Sequence, residues 1–170
     1  MTLKTMEIYE TILTRRTIKD FKPDAVPSDV LDRALTVGLW AQNHKMTEPW
    51  RFIVLGPQTH RALAAIDGKL ATKPAIVAIT CRLSGDAEQR REDYAAVCCA
   101  IQNIQLAAWA DGLGMQWSTG RTSKLAETQV LLGINPNEEE MAGLLYFGYA
   151  ASVPKAQARK PLTEVTRQLP

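Results

Sequence analysis

Apolar residues recur along this chain with two different periods, and their alternation predicts an order of helices and strands. Ile8, Ile12 and Leu13 keep helical spacing, which predicts a first helix over residues 6–14. Pro23 and Pro27 bound a loop, after which Ser28 is an N-cap candidate with Asp29 in the first turn. Val30, Leu31, Ala34, Leu35 and Leu39 then form the apolar stripe of a second helix. A strand is expected over 50–55, stopped by Gly56-Pro57, and a short helix over 60–66. Residues 75–81 are almost continuously apolar after Pro74, as in a strand covered on both faces.

The longest helical pattern runs over 86–113. It starts charged and then turns apolar and small through Ala96, Val97, Ala100, Ile101 and Ile104 before Gly112 and Gly114 end it. A short strand over 115–119, a helix over 123–132 and a last strand over 141–148 follow. Strands interleaved with helices predict an α/β or α+β domain spanning residues 1–170. A helix this apolar is buried on more than one side, so the pattern predicts that the chain completes its core against a second copy. The tail, 152–170, carries Pro154, Pro161 and Pro170 with little core pattern and is expected to be an arm.

Bulk properties narrow the classes. The 170 residues, 46% hydrophobic and 22% charged, suit one globular domain, and a formal charge of +2 gives no reason to expect a nucleic-acid partner. The longest apolar run is too short to span a membrane. The first residues lack the pattern of a signal peptide, so a cytoplasmic location is expected. The three cysteines, Cys81, Cys98 and Cys99, show neither a disulfide framework nor metal-ligand spacing, and they read as packing.

Two polar segments carry the candidate chemistry. Arg15, Arg16, Thr17 and Lys19 put three cations and a hydroxyl at the end of the first helix. Asn43, His44 and Lys45 place an amide, an imidazole and an ammonium just before Pro49-Trp50 and a strand. Together they suit a ligand with a phosphate and a hydrogen-bonding ring edge, a description that fits flavin mononucleotide. Each residue also has an ordinary alternative. Arg15 and Arg16 could complement a helix C-terminus, Lys19 could be a surface lysine, and His44 could be structural. Trp40 could be core of the second helix. His60 is expected at the surface, Pro49-Trp50 as packing, and Glu48 beside either Lys45 or Arg51. Gly112-x-Gly114 closes a helix where a dinucleotide fingerprint would open one, which excludes that reading.

The ordered set Arg15-Arg16-Thr17-x-Lys19-x-Phe21, Asn43-His44-Lys45-x-x-Glu48-Pro49-Trp50-Arg51-Phe52, Gly112-x-Gly114-x-x-Trp117 and Gly148 resembles the nitroreductase family of flavin enzymes. The resemblance implies the α+β class, as a three-layer sandwich with a mixed sheet flanked by helices, in an intertwined homodimer with FMN at the subunit interface. It places Arg15 at the flavin phosphate, where a guanidinium forms forked, charge-assisted hydrogen bonds, and Arg16 and Thr17 in contact with the cofactor. It places Lys19 near the pyrimidine end of the ring and His44 against the flavin. Trp40 would reach the partner's flavin, and Trp117, Ser118 and Thr119 would present a strand end to the ring. Arg159, on the arm, would add a second cation to the phosphate. Many relatives have an arginine where this chain has Ser118.

The implied activity is hydride transfer from NADH or NADPH, by ping-pong turnover, to a small electron acceptor such as a nitroaromatic or a quinone. No side chain looks dedicated to acid or base work; the flavin carries the chemistry. The alternative is a flavin-binding or flavin-handling protein without reductase turnover. The short connection between Leu55 and the second strand leaves no room for a large lid, which favours an open reductase site.

Overall fold

The computed structural model describes residues 7–170, so the expected start of the first helix at Met6 lies outside the described residues. Helix α1 (Ile8–Thr14) is followed by α2 (Ser28–Gly38), β1 (Trp50–Val54), α3 (Pro57–Ile66) and β2 (Ala75–Arg82). Then come α4 (Ala87–Ala110), β3 (Gly114–Ser118), α5 (Arg121–Lys124), α6 (Ala126–Leu131) and β4 (Glu139–Gly148). The sheet order is β1-β2-β4-β3, with every neighbouring pair antiparallel. A parallel bridge between Thr17 and Met115 makes the sheet mixed.

The layers follow from the two-residue period of strands. On one face, Val77, Ile79 and Cys81 of β2 and Leu145 and Phe147 of β4 pack under α2 and α4. On the other, Ile76, Ala78, Leu144 and Tyr146 meet Leu63, Leu70, Leu132 and Ile134. This is the α+β three-layer sandwich, and it explains why β2 reads as continuously apolar.

Several boundaries differ from expectation for identifiable reasons. Pro27 caps α2 through its carbonyl, which accepts from the Val30 and Leu31 amides, so Ser28 lies inside the first turn. Helix α3 starts at Pro57, where a missing N–H does no harm. Asp86 caps α4 by accepting from the Gln89 amide at 2.9 Å, and Gly112 at φ +78° ends that helix. The helix expected over 123–132 is two helices, because Leu125 is extended and its carbonyl caps the second one. His60 is half-buried and bonds the Leu70 carbonyl at 2.8 Å, tying α3 to the turn after it. Pro49 and Trp50 are buried packing, as expected.

The apolar positions of α4 correct one inference. Ile101 and Ile104 are fully buried in the chain's own core, so they do not offer a face to a second copy. Uncovered apolar side chains lie instead on α1, where Tyr9 is 79% and Leu13 74% exposed, at Trp40, which is 84% exposed, and also at Val130 of α6 and along the tail at Leu162 and Leu169. The helical stripe of α1 faces away from its own core; the residue α1 buries is Thr11.

Candidate functional site

Residues 15–21 leave α1 and run alongside the sheet as an extra strand-like segment. The Ile18 amide donates to Met115, the Lys22 amide to Tyr149, and the Ala151 amide to Asp20. Ile18 is fully buried while Thr17 and Lys19 on either side are exposed, the alternation of a strand. The segment lies close because its floor is the paired glycines Gly114 and Gly148. A Cβ on Gly114 would stand 2.7 Å from Ile18, and one on Gly148 would stand 2.8 Å from Phe21.

This placement brings Arg15, Arg16 and Thr17 into a cleft of about 470 Å³ with Pro154, Lys155 and Arg159 from the tail. Among the described residues no carboxylate lines it. The Arg15 guanidinium is held below the usual arginine range, first by burial and then by Arg16 and Arg159. Arg16 donates to the carbonyls of Leu13, at 2.9 Å, and Arg15, at 2.7 Å, and so also closes the end of α1. Cations gathered without a counter-charge favour an anion, and arginine suits a phosphate.

Lys19 and Ser118 line a second and larger cavity, about 780 Å³, on the side of the sheet that carries Leu70 and Tyr146. Sequence reasoning missed its remaining polar members, among them Lys73, Gln116, Arg121 and Tyr146. Lys73 donates to the Lys19 carbonyl at 2.7 Å and stands over the rings of Phe21 and Tyr146. Burial pulls the Lys73 ammonium down, with Asp20 opposing. Burial also raises the Tyr146 phenol, opposed by a hydrogen bond from Ser118. Lys73 directly precedes Pro74 and the apolar strand, a place where a lysine side chain enters a cavity wall without a recognisable motif.

Trp117 is committed to the sheet. Its indole N–H donates to the Ala142 carbonyl at 2.9 Å, beside a register shift in the β2–β4 pairing. Gly143, at φ +147°, leaves the space the indole fills; a Cβ there would stand 2.5 Å from its nitrogen. Thr119 is exposed and lines a separate cavity with Tyr94, Lys124 and Glu140.

Asn43 and His44 line a further cleft of about 380 Å³ against Glu92, Ala95 and Cys99 of α4. The loop that carries them is strained. Lys45, Met46 and Glu48 have φ of 57°, 51° and 45°, and among the described residues no other non-glycine residue has positive φ. Such a conformation costs about 1 kcal/mol or more per residue unless the surroundings fix it. His44 Nδ1 stands 3.3 Å from the Glu92 carboxylate, and Asn43 Oδ1 accepts from the Glu48 amide at 3.0 Å. Arg51 reaches the Glu48 carbonyl at 3.0 Å. Within one chain, therefore, the Arg15 cleft and the Asn43–His44 cleft are separate, and Trp40 stands exposed between elements. Among the described residues no His, Cys, Asp and Glu group could hold a metal ion, and no helix is long and apolar enough to cross a membrane.

Comparison with known proteins gives this geometry a context. The sequence profile of the Nitroreductase family matches residues 12–80 and 59–149. YfhC of Bacillus subtilis (strain 168), named as a candidate NAD(P)H nitroreductase, is 31% identical, over 92% of this chain and 91% of its own. The crystal structure of a nitroreductase-like family protein from Bacillus cereus superposes with a TM-score of 0.89 at 28% identity, covering 99% of each chain. A candidate nitroreductase of Desulfovibrio desulfuricans, solved in complex with FMN, gives a TM-score of 0.82 over 97% of this chain and 98% of that one. At 24% identity it speaks for the fold alone.

Proposed function

The chain belongs to the nitroreductase family, and from that premise we propose that it is an FMN-dependent oxidoreductase that draws hydride from NADH or NADPH. Its acceptors are small oxidants such as nitroaromatics and quinones. The observation that carries this reading is the cleft of Arg15, Arg16, Lys155 and Arg159, which among the described residues holds four cations and no carboxylate. These groups fit the phosphate of FMN. When bound, FMN supplies the ring that takes hydride from the nicotinamide and returns reducing equivalents to the acceptor.

The chain's own residues would hold and tune that ring. Arg15 and Arg159 neutralise the phosphate, and Thr17 offers a hydroxyl beside them. Lys19 brings a positive charge to the pyrimidine end, where negative charge accumulates on reduction. Ser118 and Thr119 stand at the end of β3, where hydroxyl and backbone groups can meet the ring edge. Asn43, His44, Lys45 and Trp40 reach the flavin of a second copy, so that each site takes residues from both chains of a homodimer. The separation of the two clefts within one chain supports this arrangement, as does the uncovered apolar stripe of α1. The arm, 152–170, is exposed along its length and is proposed to lie over the partner.

The test is steady-state oxidation of NADH and NADPH by the FMN-loaded protein with a panel of nitroaromatic and quinone acceptors. Acceptor-dependent turnover is expected. Tight FMN binding without turnover for any acceptor would leave a flavin-handling protein in its place.

A further inference from the structure

Asp93 lies on α4 with 1% of its surface exposed, and the chemistry proposed above gives it no task. It forms no ion pair among the described residues. Its carboxylate is held by neutral donors from three segments. Thr47 Oγ1 donates to Oδ1 at 2.6 Å, and Gln89 Nε2 donates to the same oxygen at 3.0 Å. Ser84, in the connection before α4, reaches Oδ2 at 3.4 Å.

The shortest of these bonds runs to the strained loop. Thr47 sits between Met46 and Glu48, two of the three residues with positive φ. The other ties on the loop are weaker anchors. The His44–Glu92 contact has both side chains 40% exposed or more, and the Asn43–Glu48 bond stays within the loop itself. Among the described residues the Thr47–Asp93 bond is the side-chain tie from the loop to a buried group distant in sequence; Asn43 also donates to the buried Ala41 carbonyl, two residues before it, at 3.4 Å. A buried carboxylate needs its donors, because an unsatisfied charge away from water is costly. The requirement works in both directions: Asp93 needs the Thr47 hydroxyl, and the loop needs Asp93 to keep an unfavourable backbone.

We propose that Asp93 is a positioning residue that, through Thr47, holds residues 43–48 in the conformation that presents Asn43, His44 and Lys45 to the flavin. The inference rests on the flavin reading above for what the loop presents, but not for how the loop is held.

Thr47→Val, Thr47→Ser and Asp93→Asn, compared with the parent, test it by two measurements. Amide hydrogen exchange of the flavin-free protein should accelerate about tenfold at residues 43–48 in Thr47→Val and Asp93→Asn, and stay unchanged in β2 and the middle of α4. The FMN dissociation constant should rise by about tenfold in the same two variants. Thr47→Ser, which keeps the hydroxyl, should restore both. Unchanged exchange at 43–48 in Thr47→Val would overturn the proposal, as would acceleration spread evenly over the chain or a serine variant that behaves like the valine one. Should Asp93→Asn fail to fold, the valine and serine pair decides alone. A parent that takes up no FMN would sink the flavin reading by itself, and the exchange comparison would still decide whether Asp93 holds the loop.

Discussion

The two polar segments of this protein are held in opposite ways. Residues 15–21 are fixed by main-chain hydrogen bonds to β3 and to the residues after β4, over a floor of paired glycines. Their backbone is ordinary, and the side chains of Arg15, Thr17 and Lys19 take no part in those main-chain bonds. Residues 43–48 have an unfavourable backbone fixed by side chains, with Thr47 on Asp93 and His44 beside Glu92. A segment held by its main chain tolerates changes to its functional side chains, which then affect the ligand alone. In a segment held by side chains, supporting and functional residues cannot be separated so cleanly.

The two segments would act independently if each served one chain without meeting the other. We expect Tyr9→Glu, on the exposed stripe of α1, to give a folded monomer in sedimentation velocity and to weaken FMN binding by more than about a hundredfold, since each site loses its partner residues. A folded monomer that binds one FMN per chain would show a site built from one chain.

Arg15→Ala tests the segment held by its main chain. A lost charged hydrogen bond of about 1.5–3 kcal/mol corresponds to roughly a ten- to hundredfold rise in the FMN dissociation constant. Its thermal midpoint should match the parent's, because main-chain bonds hold the segment. Gly148→Ala is the converse, with a Cβ 2.8 Å from Phe21 and 2.9 Å from Pro74. Urea unfolding should show a loss of about 1–3 kcal/mol; full stability would mean that the segment is not packed on this floor.

Lys19→Ala should leave binding of oxidised flavin nearly unchanged and lower the two-electron potential by about 30 mV, equal to about 1.4 kcal/mol. A potential equal to the parent's would place Lys19 away from the ring. The smallest effect concerns Cys81, whose thiol is pushed up to about 12 by burial, with Asp93 and Glu140 adding to the shift. In the native protein at pH 8 it should resist a thiol reagent that modifies it fully after unfolding. Rapid native labelling would mean that the packing around Asp93 is open.

The layers of this fold are legible in the sequence because burial imposes period. Residues 76–79 alternate between two covered faces, and 96–104 carry the buried stripe of α4. The Arg15 group and its tail partner Arg159 are legible because cations close in sequence, or brought together by a family pattern, share one cleft. Other features depend on tertiary contacts that no local period encodes. Leu125 breaks a helix that its neighbours favour, and Trp117 fills the space above Gly143 at a register shift. Lys45, Met46 and Glu48 have no turn-forming composition that would announce positive φ. The stripe of α1 is legible as a pattern, but a period says only that a face is apolar, not what covers it.

We propose that this chain binds FMN and uses it to pass reducing equivalents. Anaerobic addition of NADPH to the FMN-loaded protein, followed by a quinone, tests it most directly. The account predicts that the yellow absorbance bleaches with NADPH and returns with the quinone, one flavin per chain. A protein that fails to take up FMN, or that stays yellow with both NADPH and NADH, would contradict it.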